Sequence, residues 1–299
     1  KYHLNIGPGN QGAQTGRMIE GIEKILLEET PSAIIVFGDT TSTLAGAIAA
    51  SKIGVKIIHI EAGLRSFNRD MPEEINRVLT DHASDLFFVP TSEAISNLKN
   101  EGITENVFST GDLMIDTQRI GLEYLNNNEN QYIVKIPTDK YILATIHRNY
   151  NTDDFTRLEK ILLELNQTKE KVILPIHPRT EKMLAENGFD MKDANNISFI
   201  EPQGYFDFLN LLNNCSAVVT DSGGLQKEAY SLKKPCVTLR YETEWIETLE
   251  NGCNVLIGEN LGELKTSIKH VPVELFKQNI YGNGYGAQEI VKILNETLN

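Results

Sequence analysis

What this chain lacks narrows it first. Its 299 residues include only three cysteines, Cys215, Cys236 and Cys253, an odd number without metal-binding spacing. They argue against a disulfide framework, fit a reducing compartment and read as inert core or loop thiols. Positive charge is also scarce: 28 Lys and Arg stand against 41 Asp and Glu, a formal net charge of −13. With no basic stripe to track a phosphate backbone, no nucleic-acid partner is expected. No apolar run approaches bilayer length and no secretory leader precedes the first strand, so the expectation is a cytoplasmic protein without a membrane partner. A GxGxxG match at Gly7–Gly12 follows no expected strand, which argues against a bound nicotinamide, and a P-loop and a GxSxG elbow are missing. Neither Cys/His clusters nor acidic triplets occur, so no metal and no cofactor are expected.

What is present is ordinary globular composition, 40% hydrophobic and 23% charged, over a length that suits two domains. Short apolar runs rich in β-branched residues stand at 33–37, 56–60, 86–89 and 107–110, separated by helical patterns at 14–29, 42–52, 72–83 and 92–100. The second half repeats the scheme, with strands at 141–146, 171–175, 197–200, 217–220 and 235–239. Its helical patterns are 153–166, 179–186, 205–213, 225–231 and 242–251. Strands apolar on both faces and alternating with helices imply parallel α/β sheets. The polar stretch 126–139 is the expected linker. The halves echo each other: Asp39 ends a strand with Glu61 22 residues on, and Asp221 ends another with Glu242 21 residues on. Two doubly wound domains would present their ligand edges to a shared cleft, suited to a bipartite substrate.

Five segments carry candidate chemistry. AVVTDSGGLQKE at 217–228 reads as a buried strand, a glycine turn at Ser222-Gly223-Gly224 and a helix N-terminus, whose free amides and dipole suit a diphosphate. Glu228, about a turn and a half into that helix, could chelate ribose hydroxyls, which suggests a nucleotide or nucleotide sugar. The plain alternative is that Ser222 only caps and the glycines only turn. GDTTST at 38–43 sets hydroxyls at a helix start, with Thr40 or Thr41 as cap on the structural alternative. HIEAGLRSFNRDMPEEINR at 59–77 places Glu61 at a strand end and Glu73 and Glu74 in a first turn behind Pro72. Its structural alternative is a dipole-complementing carboxylate pair with a Glu73–Arg77 bridge. TIHRN at 145–149 and LPIHPR at 174–179 are strand ends bearing His and Arg, suited to anion or sugar contacts. Carboxylates, histidines and arginines facing a diphosphate site are equipment for acid–base chemistry with a phosphate leaving group.

In this order and spacing, GDTTST, HIEAGLRS, PEEINR, the His147-Arg148 pair, IHPR and TDSGGLQKEA resemble the non-hydrolysing UDP-N-acetylglucosamine 2-epimerases, from about Asn5 to the C-terminus. The resemblance implies two Rossmann-like domains in the GT-B arrangement: 1–117 with the acid/base residues, 118–285 binding UDP, and a helix in 286–299 crossing back to the first domain. It implies a cytoplasmic homodimer acting on a UDP-sugar without a cofactor. It implies anti elimination of UDP to a 2-acetamidoglucal, followed by re-addition that inverts C2. Asp39, Glu61 and Glu73 match the acidic acid/base candidates and His147 the catalytic-site histidine. Arg77 and Arg148 match groups that hold substrate and developing charge. His177, Ser222, Gly223 and Gly224 match the diphosphate turn and its neighbour, Phe208 a uracil-side contact and Glu228 the ribose chelator.

Three departures stand out. The family sequence usually opens with two further strand–helix units, so the first domain is expected to be incomplete at its N-terminus. The common His-Arg-x-Glu-Asn motif reads with Tyr150 in place of Glu. The common Glu-Arg-Pro-Glu stretch reads Glu244-Trp245-Ile246-Glu247, which with Asn151-Thr152-Asp153-Asp154 looks closer to the branch with UDP-2,3-diacetamido-glucuronic acid 2-epimerases. The rival expectations are a GT-B glycosyltransferase, which shares the diphosphate turn but needs an acceptor, and a degenerate UDP-sugar binder.

Overall fold

A computed structural model describes residues 1–7, 9–127 and 137–298. Residues 128–136, most of the expected linker, lie outside the described residues. Chain order is α1 (Gln11–Glu29), β1 (Ala33–Phe37), α2 (Thr41–Ile53), β2 (Lys56–Ile60), α3 (Pro72–Ala83), β3 (Leu86–Val89), α4 (Ser92–Asn100), β4 (Val107–Ser109) and α5 (Leu113–Asn127). It continues with β5 (Tyr141–Thr145), α6 (Asn149–Thr152), α7 (Phe155–Asn166), β6 (Lys171–Pro175), α8 (Pro178–Glu186), β7 (Ile197–Ile200), α9 (Tyr205–Asn214) and β8 (Ala217–Thr220). Last come α10 (Gly223–Ser231), β9 (Cys236–Thr238), β10 (Asn254–Leu256), α11 (Leu264–Ser267) and α12 (Gly286–Thr297). The chain divides into two units, Lys1–Asp116 with Tyr281–Asn299, and Thr117–Ile280.

The first unit holds a parallel sheet in the order β1-β2-β3-β4. Successive residues of a strand face opposite sides, and β2 shows the consequence. Ile57 packs with Leu26, Val36 and the small face Ala47, Ala49 and Ala50 of α2. Ile58 and Ile60 pack with Phe88 and Ile290 of α12 on the other side. The chain returns to this sheet over a glycine-to-glycine approach: Gly111 has φ +78°, and a Cβ there would stand 2.7 Å from Gly282 Cα. The Asp116 carboxylate then accepts the Gly286 and Ala287 amides at 3.1 and 2.8 Å, which caps α12.

The second unit holds a six-stranded parallel sheet in the order β10-β9-β8-β5-β6-β7. This is the Rossmann order, with the winding reversing between β5 and β8, where ligands bind at carboxyl strand ends. Leu158, Ile161, Leu162 and Leu165 of α7 cover one face. Leu209, Leu211 and Leu212 of α9 and Leu225 and Ala229 of α10 cover the other. All three cysteines are buried and unpaired. Burial pushes the Cys215 and Cys236 thiols up to about 12, which keeps them protonated and unreactive.

Several elements differ from the sequence expectation, among them the unexpected helices α5, α6 and α11. The helix expected over 242–251 is a 3-10 segment confined to Ile246–Gly252, with non-helical backbone at Glu250 and Asn251. A sixth strand, β10, also extends the second sheet beyond the five expected. Among the described residues no helix is long and apolar enough to cross a membrane.

Candidate active site

In the first unit, the carboxyl edge of the sheet gathers Asp39, Glu61 and Arg77. After β1 the chain turns at Gly38 (φ +62°) into α2, which Thr40 caps by accepting the Thr43 amide. Asp39 in that turn accepts Arg77 Nη2 at 2.5 Å, and its carbonyl accepts Asn76 Nδ2 at 2.9 Å. Glu61 directly follows β2 with φ +70°, a left-handed conformation that is strained for a side-chain-bearing residue and concentrates at functional sites. Its Oε2 lies 3.1 Å from where a Cβ on Gly38 would stand. Gly38 therefore permits both the positive φ and the approach of this carboxylate.

Helix α3 has Pro72 at its first position, with Glu73 and Glu74 in the first turn. The two glutamates do different work. Glu74, 3% exposed, accepts the Ser66 amide and hydroxyl at 2.8 and 2.9 Å and the Phe67 amide at 3.0 Å, so it pins the preceding loop. Glu73 shares the helix face of Asn76 and Arg77, which are three and four residues on and both directed to Asp39. The Glu73–Arg77 bridge of the structural alternative does not form. Arg77 pairs with Asp39 and, at 3.3 Å, with Glu74, because the long-range carboxylate at the strand end offers the closer partner. The Arg77 guanidinium is buried and its Nε has no hydrogen-bond partner, a donor to spare at the site.

In the second unit, three adjacent strand ends bear the remaining candidates: β8 leads to Ser222, β5 to His147 and Arg148, and β6 to His177. Their organiser is a residue not assigned a site role from sequence. Asp221, fully buried, accepts the His147 amide at 3.0–3.1 Å, the Arg148 amide at 2.9 Å and Asn151 Nδ2 at 2.9 Å. The same carboxylate lies 3.4 Å from His147 Nδ1, while the ring is 43% exposed. Asn151 also donates to the Leu239 carbonyl and accepts Arg157 Nε. This network closes without a glutamate at position 150. Tyr150 instead reaches the Leu239 carbonyl at 3.4 Å, and burial, with Asp221 nearby, raises its phenol to about 12 despite the opposing charge of Arg240. Arg148 Nε is buried without a partner.

His177 caps α8, its Nδ1 accepting the Arg179 amide at 3.2 Å. In the neutral ring the hydrogen is therefore on Nε2, a donor at the exposed edge. Ser222 caps α10 by accepting the Leu225 amide at 3.5 Å, leaving the Gly223 and Gly224 amides as the helix's first free donors. A methyl on Gly223 would stand 2.6 Å from Glu244 Oε1, so the Arg240–Glu244 ion pair (3.0 Å) packs into the room that glycine leaves. Glu228 is buried on α10, and burial together with its charge raises the Tyr205 phenol to about 12. Phe208 on α9 leans partly buried on the α9/α10 core. Trp245 lies under the buried Lys227 ammonium, 3.8 Å from ring centroid to Nζ.

Comparison with known proteins agrees with this architecture. The family model for UDP-N-acetylglucosamine 2-epimerase matches residues 1–295. A UDP-N-acetylglucosamine 2-epimerase of Methanocaldococcus jannaschii is 47% identical over 98% of this chain and 83% of its own. A UDP-2,3-diacetamido-2,3-dideoxy-D-glucuronate 2-epimerase of Pseudomonas aeruginosa is 43% identical over 98% and 83%. The crystal structure of the M. jannaschii UDP-GlcNAc 2-epimerase, in complex with UDP-GlcNAc and UDP, superposes with a TM-score of 0.87 at 43% identity, covering 99% of this chain and 84% of that one. With two Rossmann-like units of the GT-B class and a family match over nearly its whole length, the chain belongs to the UDP-N-acetylglucosamine 2-epimerase family.

Proposed function

We propose that the protein interconverts UDP-N-acetylglucosamine and UDP-N-acetylmannosamine by inverting C2. The observation that carries the reading is the gathering of Asp39, Glu61 and Arg77 at one sheet edge, with Glu73 on the neighbouring helix face. A glycosyltransferase sharing the diphosphate turn has no need of this acid cluster.

The C2 hydrogen is not beside a carbonyl, so direct deprotonation is too difficult. A carboxylate among Asp39, Glu61 and Glu73 takes the C2 proton, the C–H pair becomes the C1–C2 double bond, and the C1–O bond breaks to release UDP. Returning a proton to the other face of C2 and UDP to C1 completes the inversion. The Gly223 and Gly224 amides, the Ser222 turn and His177 Nε2 receive the diphosphate, whose charge grows as it departs. Arg77 and Arg148, each with a buried Nε lacking a partner, stabilise substrate and developing charge. His147 acts beside the reacting sugar, Phe208 lies on the uracil side, and Glu228 chelates the ribose. The protein works as a cytoplasmic homodimer.

The test is incubation with UDP-N-acetylglucosamine alone in heavy water, followed by NMR. Epimer formation with deuterium at C2 is expected. Acceptor-dependent UDP release would make it a glycosyltransferase, and tight binding without turnover a UDP-sugar binder. The P. aeruginosa relative favours one second reading, action on UDP-2,3-diacetamido-glucuronic acid. Running both sugars side by side decides by relative kcat/KM.

A further inference from the structure

His59 is the fourth residue of β2, two before Glu61, and its side chain is sealed from solvent. Its Nε2 lies 2.8 Å from the Gly38 carbonyl and its Nδ1 lies 2.6 Å from Asp81 Oδ1. A carbonyl only accepts, so Nε2 carries a hydrogen. Asp81, fully buried on α3, also receives the Gly63 amide (3.1 Å) and Arg65 Nη1 (2.7 Å) on Oδ2, the pattern of an ionised carboxylate. Burial opposes that ionisation, but the charge and hydrogen bond of Arg65 and the Gly63 amide on Oδ2 favour it. An ionised Asp81 likewise only accepts, so Nδ1 carries a hydrogen too.

Charge is compatible with the same state. The groups facing the ring are Asp81 from α3, Arg65 from the loop after β2 and, through Arg65, Glu101 at the end of α4, held by two bonds of 2.7 Å. Arg65 is shared between the sealed Asp81 and the part-exposed Glu101, so an imidazolium at His59 gives Asp81 a second buried counter-charge. His82, 3.6 Å from Glu101, is half-exposed and faces solvent.

We infer that His59 is a buried imidazolium that positions the acid residues of the site, a role whose kinetic consequence rests on the epimerase reading above. Through Nε2 it holds the carbonyl immediately before Asp39. Through Nδ1 it holds Asp81 on α3, the helix that bears Glu73 and Arg77. The same Asp81 holds the Gly63 amide, two residues past Glu61. One ring and one carboxylate thus bind together the three segments that carry Asp39, Glu61 and Glu73. His59 cannot meet substrate from its sealed position, so it acts through these neighbours.

Two substitutions separate its two bonds. The amide of His59→Asn reaches about as far as Nδ1 and keeps the Asp81 link, whereas that of His59→Gln reaches about as far as Nε2 and keeps the Gly38 link. His59→Asn should lower kcat about tenfold or more with KM and UDP affinity unchanged, and speed amide exchange over residues 38–41. His59→Gln should restore most of both. Histidine-selective 15N labelling of the unsubstituted protein reads the ring directly: with six histidines in the chain, the resonance lost in either variant is His59. It should show hydrogen on both ring nitrogens at pH 8. A single ring N–H at pH 8, or a His59→Asn protein with ordinary kcat and ordinary exchange at 38–41, overturns the inference. If the unsubstituted protein epimerises neither sugar, the epimerase reading fails, and ring protonation and amide exchange still decide the role of His59.

Discussion

Removing the charge from Asp221 tests whether that buried carboxylate organises the second unit's site. In Asp221→Asn the shape is kept, but one acceptor oxygen becomes an NH2 group. The natural carboxylate serves three donors, the His147 and Arg148 amides and Asn151 Nδ2, all within 2.9–3.1 Å. The remaining amide oxygen can serve two, and the new NH2 faces at least one of the old donors. A hydrogen bond to a charged group is worth about 1.5–3 kcal/mol, and a buried unsatisfied donor costs about 1–3 kcal/mol. One bond lost, two weakened and a donor stranded should destabilise the unit by about 3 kcal/mol. With a urea dependence of about 1–3 kcal/mol per molar, the unfolding midpoint should fall by about 1–3 M. Because His147 and Arg148 are placed by these same bonds, turnover of the folded fraction should also drop, about 100-fold for a displacement near 1 Å. Asp221→Ala, which strands every donor, should be the worse of the two. Urea unfolding by circular dichroism and the heavy-water assay provide the readings. An unmoved midpoint with ordinary turnover, or Ala milder than Asn, would refute the reasoning.

Glu61→Gln keeps shape and hydrogen-bonding capacity but not basicity, and should cut turnover about 100-fold while calorimetric UDP affinity stays unchanged. A lower melting temperature with near-normal turnover would make Glu61 structural instead. Glu228→Ala should weaken UDP binding by about 1.5–3 kcal/mol, the loss of charge-assisted bonds to the ribose, and unchanged calorimetry would place the ribose elsewhere. Gly111→Ala forces a methyl to within 2.7 Å of Gly282 Cα and the Tyr281 carbonyl at φ +78°. With about 1–3 kcal/mol each for the backbone conformation and the overpacking, the first unit should melt well below its usual temperature, whereas Gly102→Ala (φ +84°, open space) should show only the backbone part.

The strands were legible in the chain because a parallel sheet covered on both faces leaves uninterrupted β-branched runs. The ends of β1, β2, β3, β6, β7 and β8 fall where those runs stop. The segment 242–251 was misread because its apolar spacing also fits a helix. There Glu244 pairs with Arg240 four residues earlier, Trp245 lies under Lys227, and Asn251 takes a left-handed turn. Helix α6 escaped notice because it is four residues long and its anchor, Asn151 on Asp221, lies 70 residues away in sequence.

The two aspartates that end β1 and β8 show where spacing stops being informative. Both follow an apolar strand, both precede a hydroxyl-capped helix, and both have a glutamate 21 or 22 residues on. Asp39 is part-exposed and meets a side chain, the Arg77 guanidinium, so its carboxylate stays at the surface of the site. Asp221 has no exposure and meets backbone amides from the neighbouring strand end, so it builds the site from beneath. The difference lies in the partners each carboxylate meets. β8 lies beside β5 at the reversal of winding, where a second strand end supplies inward-pointing amides. The same local signal therefore precedes a part-exposed carboxylate in one unit and a sealed one in the other, and the partners that each meets distinguish them.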